Sequence, residues 1–271
     1  MPLTINTNVP SLANLDFINR MLGKHTQRIS SGLRINSAAD DAAGYAVAMN
    51  LDSRSRSVSQ ALRNTNQGVS YLQTAEGANS EVSNLVSRMR EIAVQGSSGT
   101  ITSSQRTDLQ TELDQVIAEV GRISGGTEFN STKLTDGTTT SLSVQVGPNN
   151  SANDRISLTF GDLGTSTLGL GSLSVASAAS AGAALTRVDT AMDSINNYAS
   201  SYGAAQNRLD SNVANLETYQ STLQTSYSSI MDADYAYETA QYTRYQTQQQ
   251  AAVAVLAQAN VNRQMILQLL K

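Results

Sequence analysis

The sequence predicts a mainly α fold: a long antiparallel helical coiled-coil bundle with a small β-hairpin region, in which the N- and C-terminal helices pair. Two observations indicate this fold. Apolar seams with alternating three- and four-residue steps run through residues 42–96 and 185–230, and the apolar period falls to two only between residues 127 and 171. The chain is also only 39% hydrophobic and has no Trp, which favours narrow buried seams over a thick core.

Both ends of the chain carry a thin apolar stripe that predicts an amphipathic helix. The members are Leu12, Leu22, Ile29 and Leu33 at the N-terminal end, and Leu256, Ile266 and Leu270 at the C-terminal end. Isolated helices with so little apolar surface are marginal in water. We therefore expect the two ends to pack on each other or on neighbouring molecules. We also expect residues 1–40 and 236–271 to be disordered in the isolated monomer.

The first long seam predicts a helix over residues 42–96, ending at the glycines of "GSSG". Successive three-residue steps at Leu72, Ala75 and Ala78 predict a local shift of this seam. A shorter helix follows, because Thr102 and Gln105 have the spacing of a capping box and the pair Gly125 and Gly126 ends the next seam.

The region from 127 to 171 predicts a β-hairpin. Two runs alternate apolar and polar residues around the turn "GPNN", with the apolar positions Leu142, Val144, Val146, Ile156, Leu158 and Phe160. An isolated hairpin is marginal in water, so it should lie on the helices. The stretch "SLSVASAASAGA", 172–183, is expected to be a flexible return link.

The seam from Leu185 to Ile230 is the longest in the chain, and only Gln206 and Gln220 interrupt it with polar side chains. Its steps average 3.5 residues per turn, which keeps one stripe facing a partner along a supercoiled helix. At ~1.5 Å per residue it predicts a rod roughly 70 Å long. The seam in residues 42–96 is the partner that we expect to cover it.

Charge and composition exclude several classes of protein. Each end of the chain carries three net positive charges, but aromatic partners and a dense basic stripe are missing, so no nucleic-acid partner is expected. No apolar run reaches the ~18 residues that a membrane span needs, so no membrane insertion is expected. The first residues lack the basic and apolar regions of a cleavable signal. Cysteine is absent, which excludes disulfides and thiolate chemistry.

Residues that could support catalysis do not converge, so we expect no enzyme, no cofactor and no metal. The sole histidine, His25, has no acid within four residues and is interpreted as a surface residue. Asp232, Asp234 and Glu238 only faintly resemble a calcium loop. The spacing of Ser37 and Asp40 predicts a helix start, with Asp40 and Asp41 in its first turn.

Eight short motifs in order resemble bacterial flagellin. They are "INTNVPSL" at 5–12, "RISSGLRINSAADDAAGYAVA" at 28–48, "QTAEGA" at 73–78, "REIAVQ" at 90–95, "FNSTKL" at 129–134, "GAAQNRL" at 203–209, "DADYA" at 232–236 and "VLAQAN" at 255–260. The resemblance implies a structural subunit that polymerises head-to-tail into the extracellular flagellar filament for motility. It also implies a secreted chain, exported through the flagellar type III channel. The alternative is a non-polymerising helical component of the export system, such as a hook-filament junction protein.

The resemblance also implies two domains. Residues 1–44 and 235–271 would form the inner terminal domain, D0. Residues 45–171 and 172–234 would form D1, with the hairpin at about 127–171 and no variable outer domain. Residues 28–49 would include the spoke between D0 and D1, whose members are Ser30, Ser31, Gly32, Arg34, Asn36, Asp40 and Asp41.

The partners that the resemblance implies are identical subunits, hook-junction and filament cap proteins, and an export chaperone on the C-terminal helix. A further partner is the vertebrate Toll-like flagellin receptor. The stretch "SRMREIAVQ" is similar to the surface that this receptor senses, and the matching positions are Arg88, Arg90, Glu91, Ile92 and Glu112. The same residues could instead make contacts within the filament.

Overall fold

The computed structural model describes residues 9–269, with side chains described at 11–261. The helices in this part of the chain are α1 (Val9–Ser31), α2 (Ala42–Ser97), α3 (Ser103–Gly126), α4 (Ala178–Met231) and α5 (Tyr235–Leu269). The strands are β1 (Glu128–Phe129), β2 (Thr132–Lys133), β3 (Ser141–Gln145) and β4 (Arg155–Thr159). The prediction of a mainly α fold with a small hairpin is confirmed.

The chain divides into two compact units. The central unit is Arg56–Gln220, and the terminal unit combines the residues up to Ser55 with those from Ser221 onward. The central unit contains α3, the strands and most of α2 and α4, whereas the terminal unit contains α1 and α5.

Helix α2 buries residues along two tracks, and each track repeats every seven positions. The tracks are Val58, Thr65, Leu72, Asn79, Val86 and Ala93, and Ala61, Gly68, Ala75, Val82, Met89 and Gly96. These tracks continue through 72–78, and Ala78 and Ile92, which belong to the predicted shifted seam, are buried beside them. The sequence analysis passed over Gly68, Asn79 and Gly96 as too small or too polar. The small glycines are needed there, since a Cβ on Gly96 would lie 3.0 Å from Val175 Cβ.

Helix α4 buries a matching track with the same seven-residue repeat: Ala181, Val188, Ile195, Tyr202, Leu209, Leu216 and Leu223. It lies antiparallel to α2 in the central unit, as predicted. Asn79 Nδ2 donates a hydrogen bond to the Ile195 carbonyl at 3.1 Å, and Thr65 Oγ1 lies 3.4 Å from Asn212 Oδ1. The long seams therefore cover each other in the arrangement that their periods predicted.

Helix α3 closes one end of the central core. The capping box of Thr102 and Gln105 is present as predicted, and Leu109, Leu113 and Val120 pack among the tracks of α2 and α4. The order of the helices along the chain thus brings three apolar stripes into one core.

Strands β3 and β4 pair antiparallel, with Val144 opposite Ile156, which confirms the predicted hairpin. Its apolar face packs on Tyr71, Leu72, Tyr202 and Leu209 of the helices. The short β1–β2 hairpin was not predicted, because its turn places two non-glycine residues, Asn130 and Ser131, at positive φ.

The link at 172–183 is packed, so the prediction of a flexible segment is wrong. Leu173 and Val175 are buried, and the Gln110 side chain accepts a hydrogen bond from the Val175 N–H at 2.7 Å. Ser177 Oγ then accepts from the Ser180 N–H at 3.1 Å and caps α4. The error arose because Ser and Ala were interpreted as linker composition, although they also form a cap and the first turn of a helix.

Candidate functional site

The pairing of α1 and α5 buries few side chains. Among the described side chains of these two helices, Ile18, His25 and Glu238 are the buried ones. Leu22, Ile29 and Leu256 are half-buried, and Leu33, just beyond α1, is half-buried as well. Leu12 is 56% exposed and so takes little part in packing within the chain. The Ile266 side chain and Leu270 lie outside the described residues.

His25 is buried, so its interpretation as a surface residue is wrong. Its Nδ1 lies 2.5 Å from Glu238 Oε2, and its ring stacks on Tyr245 with ring centroids 5.3 Å apart. The acid that orients this histidine lies 213 residues away along the chain. A search of neighbouring positions in the sequence could not have found it.

The residues expected to form the spoke make backbone hydrogen bonds to the segment between α4 and α5. Gly32 has a φ of +71° and accepts from the Ala233 N–H at 2.9 Å. Arg34 donates its N–H to the Met231 carbonyl at 2.6 Å, and its Nη2 donates to the Ile230 carbonyl at 2.6 Å. Ser30 and Ser31 are exposed at the end of α1. These hydrogen bonds therefore join the segment that follows α1 to the segment between α4 and α5.

Ile35 holds this connection in place, although the sequence analysis missed it. It is buried together with Ala48 and Met231. The signal in the sequence was a single apolar residue inside the polar stretch "RINSAADD", and a single residue gives no period. A Cβ on Gly44 would lie 2.9 Å from Ile35 Cδ1, so a larger residue at this position would displace the Ile35 side chain.

The start of α2 differs from the prediction. Asp41 Oδ1 accepts from the Gly44 N–H at 2.9 Å and caps the helix, which begins at Ala42 with no acid in its first turn. Asp40 instead accepts from the N–H groups of Asn36 and Ser37 at 3.3 Å and pairs with Lys24 at 3.2 Å. The Ser37 spacing therefore marks a turn before the helix and not the helix start.

The positive φ of Gly32 gives a prediction with a matched control. We expect Gly32→Ala to lower the free energy of unfolding by about 1–2 kcal/mol, because alanine is strained in the left-handed region. Gly23, inside α1, also has open space around its Cβ position but has no positive φ. We expect Gly23→Ala to be stabilising by about 0.5–1 kcal/mol. Denaturant unfolding of assembled filaments, in which α1 is expected to be ordered, followed by circular dichroism tests both, and equal effects of the two variants would contradict the assignment.

The folded state is expected to depend on pH for its stability through the Asp40 carboxylate. Burial alone would raise its pKa, but the Lys24 side chain and the N–H groups of Asn36 and Ser37 outweigh burial and lower the pKa of Asp40. A lowered folded pKa stabilises above the unfolded value of about 3.9, and the stabilisation is lost as the pH falls through the folded pKa. We therefore expect Asp40→Asn to be less stable than wild type at neutral pH, with the gap closing in acid. Unfolding of assembled filaments at several pH values measures this, with the exposed Asp16→Asn as control.

The residues that match the receptor surface lie on α2 and α3 of the central unit. Arg88 Nη1 donates to Glu91 at 2.7 Å and Arg88 Nε donates to Glu112 at 2.8 Å, and these hydrogen bonds raise the pKa of Arg88. Arg90 Nε donates to Asp189 of α4 at 2.8 Å. These four residues, Arg88, Arg90, Glu91 and Glu112, have side chains that remain at least one-third exposed.

Ile92 does not belong to this surface. Its exposure is 0%, and it packs in the core with residues of α3 and α4. The assignment of Ile92 as a receptor or filament contact is therefore corrected. Residues next to each other on a helix point in different directions, so Ile92 faces the core although Arg90 and Glu91 are exposed.

Comparison with known proteins gives the family. Residues 5–140 match the bacterial flagellin N-terminal helical region, and residues 185–270 match the bacterial flagellin C-terminal helical region. A flagellin of Halalkalibacterium halodurans is 37% identical over 99% of this chain and 100% of its own. The chain belongs to the bacterial flagellin family. It is a structural subunit of the flagellar filament, which lies outside the cell.

Two further relatives agree with this membership. The flagellar filament 30.7 kDa core protein of Treponema maltophilum is 34% identical over 99% of this chain and 100% of its own. The crystal structure of Bacillus cereus flagellin matches this chain with a TM-score of 0.51 and 32% sequence identity. The match covers 57% of this chain and 88% of the Bacillus cereus chain. The flagellin family is one of structural proteins.

None of the helices from Val9 to Leu269 combines the length and apolar character that crossing a bilayer requires. Within the same residues, no three His, Asp or Glu side chains come together as a possible metal site.

Proposed function

We propose that α1 and α5 form the inner part of the filament, as the D0 domain of this flagellin, and that identical subunits contact one another through these helices. The observation that supports this proposal is the apolar surface that they leave uncovered: Leu12, Phe17, Val253, Val255 and Val261 are all exposed. Contacts between a surface on one subunit and a different surface on the next generate an open helix. The same burial would order the terminal helices as the filament grows.

Substitution of one exposed valine tests this proposal. Val255 is 61% exposed, and burying a valine stabilises by about 1.5–3 kcal/mol. We expect Val255→Ser to raise the critical concentration for filament growth roughly tenfold or more. Ala254→Ser, at the adjacent exposed position, is the matched control. Equal critical concentrations for the two variants, measured by sedimentation after seeding, would contradict the proposal.

The segment from Ser30 to Asp41 has the role of a spoke between D0 and D1 in this proposal. Its backbone hydrogen bonds to residues 230–233 and the burial of Ile35 support that role. These hydrogen bonds hold the segment against residues 230–233 within the terminal unit.

The other partners follow from the same proposal. The chain is exported through the flagellar type III channel, and a chaperone binds the C-terminal helix before assembly. In the filament, hook-junction proteins contact the first subunits and cap proteins contact the last. The exposed apolar residues of α5 support a chaperone there, because such a surface needs cover before assembly.

A second candidate function is recognition by the vertebrate Toll-like flagellin receptor. The exposed group Arg88, Arg90, Glu91 and Glu112 supports it. Arg88→Ala monomer in a receptor reporter assay tests it, with Arg122→Ala as control, because Arg122 is also exposed and also pairs with a carboxylate, that of Glu119. A reduced signal for Arg88→Ala alone supports recognition. An unchanged signal with impaired filament growth assigns Arg88 to subunit contacts.

A further inference from the structure

We propose that Glu238, held by His25 and Arg28, selects the register in which α5 pairs with α1. These three residues are called the Glu238 cluster below. Both carboxylate oxygens of Glu238 are used: Oε2 lies 2.5 Å from His25 Nδ1, and Oε1 accepts from Arg28 Nη1 at 3.0 Å. Glu238 itself is only 3% exposed. A charged group with so little water around it depends on these two partners.

The apolar contacts between the two helices define the register weakly. Ile18 is the one fully buried apolar side chain among those described on α1 and α5. The half-buried positions of α5 include the polar or small Gln241, Gln249 and Ala252 beside the larger Tyr242, Tyr245 and Leu256. Because few of these apolar side chains are fully buried, the apolar contacts alone give only a weak preference for one alignment. Another interaction must therefore distinguish one alignment from the next.

The Glu238 cluster favours one alignment of α5 along α1, because its two contacts form in that alignment alone. Moving α5 by one helical turn displaces Glu238 by about 5.4 Å, which breaks both contacts to α1. An ionised carboxylate and a guanidinium would then be buried without partners, which is strongly unfavourable. Fixing the register is the best-attested use of a single buried polar group at a helix interface.

The surroundings of the cluster are consistent with this role. Tyr245 of α5 stacks on the His25 ring, and Arg244 lies 4.9 Å from the centroid of the Tyr245 ring. Lys24 of α1 is paired with Asp40, so it does not compete for Glu238. Arg28 Nε is buried and has no hydrogen-bond partner among the described residues. A cluster with an unsatisfied group adds little net stability, which points to specificity as its contribution.

The test measures the register directly. The chain has no cysteine, so spin labels can be placed only at engineered positions, Arg20→Cys on α1 and Gln250→Cys on α5, both exposed. Labelled full-length chain is assembled into filaments with excess unlabelled wild type, and double electron–electron resonance gives the distance. We expect one distance in the parent and additional populations, displaced by about one helical turn of ~5.4 Å, in Glu238→Gln.

A second variant separates register from stability. In His25→Leu/Arg28→Met/Glu238→Met, apolar side chains replace the whole cluster, so no buried charge is left unpaired. Such a replacement often keeps or raises stability, but we expect it to show several distances. Lys24→Met, which removes the neighbouring exposed ion pair, should keep the single distance. A single parental distance in the triple variant overturns the proposal, and so does complete loss of pairing, because the cluster would then supply stability alone.

Discussion

Removing residues 235–271 is expected to abolish filament formation while leaving the central unit folded. The deletion takes away α5 and with it Glu238 and Tyr245, which contact His25 of α1. The 23-residue α1 would then have no partner, and helices of this kind are marginal alone in water. Electron microscopy after seeding measures the filaments. Hydrogen exchange of Arg56–Gln220 measures the central unit.

The deletion of residues 235–271 has two controls. Full-length Thr243→Ala changes an exposed residue of α5 and should form filaments like wild type. Exchange protection of the α2 and α4 tracks in the truncated chain should match that of the intact chain. Normal long filaments from the truncated chain would show that the terminal pairing is not needed for assembly.

Ile92→Ala is expected to lower the free energy of unfolding by about 2–4 kcal/mol. The side chain is completely buried among residues of α2, α3 and α4, so its truncation loses apolar burial and leaves a cavity. The adjacent Glu91→Ala should change the same quantity by less than about 0.5 kcal/mol, because Glu91 is exposed. Denaturant unfolding of the monomer gives both values.

This pair of variants also separates core from surface at the candidate receptor site. If Ile92→Ala lost receptor signalling but kept full stability, the side chain would have to reach the surface, contrary to the structure. If both variants were equally stable, the assignment of Ile92 to the core would be wrong. Thermal unfolding beside the reporter assay distinguishes these results.

The sequence by itself determined the features that depend on residues close together along the chain. Helix periods, the Thr102 capping box, the glycines that end α3 and the alternation in β3 and β4 all repeat within a few positions. The eight motifs determined the family for the same reason, since each is a short continuous string. These local patterns were enough to predict long paired helices with thin terminal stripes.

Only the tertiary structure decided which distant residues meet. It placed Glu238 on His25, packed Val175 against Gln110 and buried Ile35 beside Met231. It also excluded Ile92 from the exposed receptor-like surface, because that side chain is completely buried. The physical reason is that a buried charge, a small residue in a seam or a lone apolar residue has no period of its own. Its role depends on the partner that another part of the chain brings to it.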